Sequence, residues 1–264
     1  MTEQWRVAWV TGASSGIGRE TAIRLAKLGT RVAVSARSAE ALTALEAEHD
    51  AIKAYPLDIM DTSAAADTVS RIEDDLGPID LALFCAATWS VLDVEDLAVE
   101  PIQRSMTVNY NGTVATLVPV AQRMMARKSG RIAIVASVAG YRGLPRSAAY
   151  APTKAALINL AECLQPDLAR HNVDVTVVNP GFVDTPMTRT NDFRMPDLMK
   201  VEDAADQLVA GLQRGGFEVT FPWRFVRFMK LLSILPSSLF LWFIRSRVAR
   251  APRASPGEGA SQSG

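Results

Sequence analysis

The 264-residue chain reads as an α/β protein: a doubly wound parallel sheet with an amphipathic helical extension at its C-terminus. Three observations predict this. Short apolar runs alternate with helical periodicity from about residue 6 to residue 221. The first run ends in a glycine-rich turn that opens directly into a helix pattern. Six of the runs finish in a residue suited to a ligand, namely Gly12, Arg37, Asp58, Ala86, Ser137 and Gly181. In an open parallel sheet, ligands bind outside the carboxyl ends of the strands, so these residues converge on one edge.

Composition sets the bounds. Hydrophobic residues make up 48% of the chain and charged residues 21%, enough to bury a sizeable core. Lys+Arg and Asp+Glu both number 28, which argues against a nucleic-acid partner. Cys85, Cys163, His49 and His171 are scattered and form neither a metal spacing nor a disulfide framework. The expectation is no metal and a reducing, cytoplasmic setting. The sequence Met1-Thr2-Glu3-Gln4 shows no secretory leader pattern, and no solenoid period recurs.

Taken in order, strand 6–10 leads to Thr11-Gly12-Ala13-Ser14-Ser15-Gly16-Ile17-Gly18. Ile17, Thr21, Leu25 and Leu28 then step at helical spacing to a cap at Gly29. Strand, glycine turn and helix together predict a dinucleotide phosphate site. Glycines let the backbone approach a pyrophosphate, and a helix N-terminus supplies amides and positive dipole. Cofactor contacts are therefore expected from Gly12, Ser14, Ser15, Gly16, Ile17 and Gly18. The second strand, 32–35, is followed by Arg37 with no acidic residue nearby. An acid there would hold ribose hydroxyls, whereas arginine suits a 2′-phosphate, so NADP(H) is preferred and NAD(H) is the alternative. Helix 38–49 and strand 52–56 lead to Asp58, expected at the adenine because Asp61 is the better cap for helix 62–76. Strand 81–84 ends in the small residues Cys85-Ala86-Ala87, with Ala86 expected against the cofactor.

One long helix is predicted from the stepping of Ile102, Met106, Asn109, Thr113, Leu117, Val120 and Met124, with a bend at Pro119. Asn109 is the misfit in that stripe, since a buried amide needs partners. Strand 131–136 ends at Ser137. In the next helix Tyr150, Lys154, Leu157, Ala161, Leu164 and Leu168 share one face. Lysine turned inward is costly without a partner or a task. An ammonium one turn from a phenol favours phenolate, which predicts that Tyr150 falls from near ~10 toward neutrality. The alternative is a half-buried aromatic beside a lysine that snorkels to water. Strand 174–178 runs into Asn179-Pro180-Gly181-Phe182-Val183-Asp184-Thr185. Residues 186–200 read as a mobile lid, and helix 201–214 and strand 217–221 complete the alternation.

These motifs resemble the short-chain dehydrogenase/reductase family, in its single-domain, Rossmann-type branch. The likeness spans about residues 5–221 and rests on Thr11-Gly12-x-x-x-Gly16-x-Gly18, Asp58, Asn109, Ser137, Tyr150-x-x-x-Lys154 and Pro180-Gly181. It implies Tyr150 as acid/base and Ser137 as the hydroxyl that orients the substrate oxygen. Lys154 would hold the nicotinamide ribose and lower the tyrosine pKa, and Asn109 would anchor a water in a proton relay. Pro180, Gly181, Val183 and Thr185 join the cofactor set, Thr185 matching the threonine that holds the carboxamide. The family's usual Asn-Asn-Ala-Gly is replaced by Phe84-Cys85-Ala86-Ala87.

The expected activity is hydride transfer between nicotinamide and a carbonyl or secondary alcohol in a homo-oligomer. A lipophilic substrate is suggested by Trp89, Tyr141, Leu144, Met187, Phe193 and the apolar C-terminus. One rival is a soluble reductase of 3-oxoacyl thioesters, with Arg142, Arg146 and Arg189 as anion contacts. Another is a catalytically silent nucleotide-binding scaffold or sensor. The predicted organisation is a catalytic domain over 1–221, an amphipathic extension over 222–250 and a disordered tail over 251–264. In the extension Arg224, Arg227 and Lys230 share one arc opposite Phe225, Phe228, Leu232 and Leu235, followed by Arg245, Arg247 and Arg250. Its longest uncharged run, 231–244, is 14 residues and contains Pro236, whereas a membrane span needs about 20. A basic amphipathic helix can instead lie on a membrane surface, against the alternatives of a cleft cover or a subunit contact.

Overall fold

A computed structural model describes residues 4–193 and 195–248. Seven parallel strands form one sheet in the order β3-β2-β1-β4-β5-β6-β7. They are β1 (Val7–Thr11), β2 (Arg31–Ser35), β3 (Ile52–Ala54), β4 (Leu81–Phe84), β5 (Gly130–Val135), β6 (Val173–Pro180) and β7 (Glu218–Phe221). Most strand residues are apolar and buried, as a sheet covered on both faces requires. Alternation decides which face each one feeds. Ala8 and Val10 of β1 pack with α1 (Gly16–Lys27), α2 (Ala39–Glu48) and α7 (Val201–Arg214). Val7 and Trp9 point the other way, toward α3 (Thr62–Leu76), α5 (Gly112–Arg127) and α6 (Ala151–Ala169). The strand order reverses between β1 and β4, and a crevice opens at such a switch point.

The differences from expectation are local. β3 is assigned only to Ala54, yet Tyr55 and Leu57 still donate to Val34 and Ala36 at 2.9 and 3.0 Å, so extended pairing continues toward Asp58. β6 runs to Pro180 because β7 pairs with its last residues. The single long helix is instead α4 (Val99–Met106), a π-helical turn over Thr107–Asn111, and α5. The irregularity falls around Asn109, whereas α5 continues through Pro119. A π-turn of this kind re-aims a side chain, and here it serves an amide turned into the core.

The segment 186–200, expected as a lid, contains a 3-10 turn at Thr188–Thr190. Its two ends are joined, with Asp184 donating to Met199 and Met199 donating to Phe182 at 2.8 and 3.0 Å. The extension forms two helices, α8 (Trp223–Ser233) and α9 (Ser237–Val248), divided at Pro236. They fold onto the body through a third apolar cluster of Val138, Val226, Met229, Leu232 and Phe240. This corrects the expected partition of α8. Leu232 is buried and Phe225 and Leu235 pack against the cluster, while Phe228 faces out. Arg250 and the tail 251–264 lie outside the described residues, as does the side chain of Arg247. Among the described residues no helix is long and apolar enough to cross a membrane.

Candidate active site

One cleft runs along the carboxyl edge of the sheet, and most of the expected residues meet there. Gly12, Ser14, Ser15, Gly16, Ile17, Arg37, Ala86, Ser137, Tyr150, Lys154, Pro180, Gly181, Val183 and Thr185 all line it. Gly18, Asp58 and Asn109 do not. A Cβ on Gly18 would lie 2.5 Å from the carbonyl oxygen of Gly12, so Gly18 permits the tight turn from behind. Asp58 accepts from the Met60 amide at 3.0 Å, and Asp61 caps α3 through Ser63 and Ala64, as expected. Asn109 is fully buried, accepting from Thr88 N at 2.7 Å and donating to Thr88 O and Thr153 Oγ1, each at 3.0 Å. Its side chain thereby ties the chain after β4 to the helix that carries Tyr150.

The glycine turn has the form of an anion cradle. Gly12 and Gly16 both have positive φ, at 70° and 58°, a region costly for other residues. A Cβ at Gly12 would also meet the Ala86 backbone at 2.6 Å, so the turn lies directly on the end of β4. The following helix is left uncapped. Ser15 makes no side-chain cap bond and the first turn of α1 holds no acid, whereas Ser38 and Asp61 cap α2 and α3. Free amides and an unneutralised dipole end therefore face the cleft, and these residues fit a pyrophosphate. Arg37 is exposed at the same end and makes no ion pair or hydrogen bond among the described residues.

The other end holds the ionisable pair. Lys154 is only 2% exposed, donates to the Val135 carbonyl at 2.9 Å and lies 5.4 Å from the Tyr150 ring centroid. Burial lowers its pKa to about 8. Burial likewise raises the Tyr150 phenol well above its usual range, although a hydrogen bond with Ser137 pulls the other way. Burial thus opposes the expected depression of the phenol. Desolvation penalises phenolate, and the bond with Ser137 offsets only part of that penalty. Cys85 takes the place of an amide common in the resembled family. Its thiol is pushed up to about 11 by burial and stays neutral.

The walls of the substrate side carry contacts that no local motif announced. Trp89 stands edge-on to Tyr150 at 4.8 Å between centroids, and its Nε1 donates to Asn191 at 2.8 Å. Arg146 binds Asp93 and Asp192 together, at 2.7 Å each for its closest bonds. It thus joins the loops after β4, β5 and β6. Arg142 donates to the carbonyl oxygens of Ser233 and Leu235 at 3.3 and 3.2 Å and covers the Phe240 ring. Arg189 pairs with Asp184 at 2.8 Å. All three arginines expected to contact an anionic substrate are committed to the protein itself. Glu218 is a fourth tie. It accepts from Tyr141 Oη at 2.5 Å and Asn179 Nδ2 at 2.8 Å, and is ion-paired to Lys230 of α8.

These features define a doubly wound α/β protein whose ligand cleft sits at the switch point of its sheet. The chain belongs to the short chain dehydrogenase family, whose model matches residues 6–194, and it is an oxidoreductase of that family. An uncharacterized oxidoreductase of Myxococcus xanthus is 37% identical over 240 residues, covering 89% of this chain and 95% of that protein. A 3-ketodihydrosphingosine reductase of Bos taurus is 33% identical over 227 residues, covering 79% of this chain and 68% of that protein. Among solved structures, a short chain dehydrogenase from Burkholderia cenocepacia in complex with NADP superposes with a TM-score of 0.80. It is 27% identical, and the match covers 92% of this chain and 99% of that one.

Proposed function

We propose that this protein is an NADP(H)-dependent oxidoreductase that interconverts a carbonyl and a secondary alcohol on a lipophilic substrate. The observation that carries the reading is the convergence of Ser137, Tyr150 and Lys154 with the glycine turn and unpaired Arg37 in one cleft. The bound nicotinamide cofactor supplies or accepts the hydride. Gly12, Gly16 and the α1 amides would hold its pyrophosphate, Arg37 its 2′-phosphate, and Lys154 its nicotinamide ribose. Tyr150, kept neutral by burial, holds the proton at Oη for a reduced carbonyl oxygen and recovers it in the reverse direction. Ser137 orients that oxygen. Asn109 acts at a distance by positioning α6 through Thr153.

The lipophilic substrate is supported by Trp89, which stands edge-on to Tyr150, and by the ring contacts of Phe182 with Phe193 and Phe225. The 3-ketodihydrosphingosine reductase among the relatives points in the same direction. A 3-oxoacyl thioester would need basic anion contacts, and Arg142, Arg146 and Arg189 are already engaged. A silent scaffold would have no use for a buried lysine beside an intact phenol and serine.

The test is NADPH and NADH oxidation at 340 nm with a panel of long-chain and cyclic ketones, with the reverse reaction assayed on the matching alcohols. Turnover with NADPH exceeding that with NADH supports the proposal. Absence of turnover in both directions across the panel, in protein that binds the cofactor, favours the scaffold.

A further inference from the structure

Residues 222–250 contain six basic residues and no acidic one, whereas the rest of the chain holds 22 basic and 28 acidic residues. The fold divides that segment unevenly. The arc of α8 that carries Val226, Met229 and Leu232 is spent on the body of the protein. The opposite arc is solvent-facing and carries Trp223, Phe228, Leu231 and Ile234 interleaved with Arg224 and Arg227. Trp223 is 64% exposed, Leu231 60% and Ile234 76%, and both arginines lie over the Trp223 ring at about 6 Å. α9 repeats the arrangement. Phe240 is buried, while Leu239, Leu241 and Trp242 face out around exposed Arg245.

Apolar side chains exposed in such numbers mark an interaction surface. Their company selects the partner. Tryptophan and arginine intermixed on one helical face suit the boundary between lipid headgroups and acyl chains. Self-association through this face would bring the arginines of two copies together, because a twofold contact is made by the same patch on both subunits. An anionic lipid surface matches both the charge and the apolar content.

We propose that the outward arcs of α8 and α9 dock this protein on an anionic membrane surface. The contacts are Trp223, Leu231, Ile234 and Trp242 for the acyl boundary and Arg224, Arg227 and Arg245 for the headgroups. The face that the sequence pattern alone selects, with Phe225, Leu232 and Leu235, is occupied by packing and takes no part. The inference does not depend on the reaction catalysed. It does bear on substrate supply, since Phe225 and Pro222 at the start of α8 pack on Gly181 in the cleft wall.

The test is sedimentation of the full chain with phosphatidylcholine vesicles, with and without phosphatidylglycerol. The docking surface predicts binding to the anionic vesicles at low salt and release as salt screens the charges. Leu231→Glu/Ile234→Glu should reduce binding at least about tenfold, and so should Arg224→Gln/Arg227→Gln/Arg245→Gln. Both variants should melt at the wild-type temperature, because every changed side chain is exposed. Each retains Arg247, Arg250 and the tail, so adsorption through those residues would leave binding unchanged and overturn the proposal. Failure of the wild-type chain to bind anionic vesicles at low salt also overturns it. So does a dimer in sedimentation velocity that Leu231→Glu/Ile234→Glu dissociates, which would make the face a contact between copies.

Discussion

The two halves of the cleft are built on different principles. The half assigned to the cofactor rests on backbone: strand ends, the Gly12 and Gly16 turn, and the uncapped first turn of α1. The substrate half rests on side-chain ties between segments far apart in sequence. Arg146 gathers three loops, Arg142 caps the end of α8, and Glu218 clamps β7, Tyr141 and α8 together. A backbone cradle changes little when a surface side chain is altered. A wall held by ion pairs can be retuned by single substitutions, which lets one scaffold serve many substrates.

Substitutions that touch only one half should separate accordingly, and among these the largest effect is expected on the cofactor side. Arg37→Asp trades a phosphate partner for a hydroxyl acceptor. A charge-assisted bond is worth about 1.5–3 kcal/mol, so kcat/KM for NADPH should fall roughly ten- to hundred-fold while that for NADH rises. If the NADPH value holds, Ser14 is the next residue to test. Ser35 is engaged in the core by Trp9.

Glu218→Ala should act on stability instead. It strands the partly buried Tyr141 and Asn179 groups and frees Lys230, at a cost of about 2 kcal/mol. For a chain of this size the melting temperature should fall by roughly 4–8 °C. Burial works to raise the Glu218 pKa, but bonds from Lys230, Tyr141 and Asn179 outweigh it and hold the carboxyl below its ordinary value of 4.5. The sign follows. This stabilisation is fully present above the ordinary value and is lost as pH falls through the depressed one. The gap between wild type and variant in an acid melting series should therefore close as pH falls below the ordinary carboxyl value of 4.5. A gap that persists there would mean that packing, not charge, holds α8.

The smallest effect is expected at Arg146. Its partners are half exposed, so Arg146→Gln should raise KM for the carbonyl about threefold with NADPH affinity unchanged. A matching loss of NADPH affinity would show that the two halves are not independent.

The same division explains what could be read from the sequence. Gly12, Arg37, Ser137 and Gly181 are legible because a parallel sheet brings strand ends to one edge, whatever the loops do. Tyr150 and Lys154 are legible because helical spacing fixes their shared face. The Arg146 clamp is not legible, since its partners lie 53 and 46 residues away and nothing local selects them. The turn at Asn109 shows only as an amide in an apolar stripe, and its partner Thr153 lies 44 residues on. On α8 periodicity finds two faces but not which one the body covers. The direction of the Tyr150 pKa is not legible, because the pattern reveals the neighbouring charge and not the depth of burial.

Tyr150 is proposed to supply the transferable proton in a cleft that binds the cofactor without its help. The direct measurement is Tyr150→Phe against wild type, with NADPH affinity followed by fluorescence and turnover followed on the same ketone. Affinity should be unchanged and kcat should fall by about 10²–10⁴, the usual contribution of a general acid. Near-normal turnover in the variant, or loss of cofactor binding in folded protein, would contradict it.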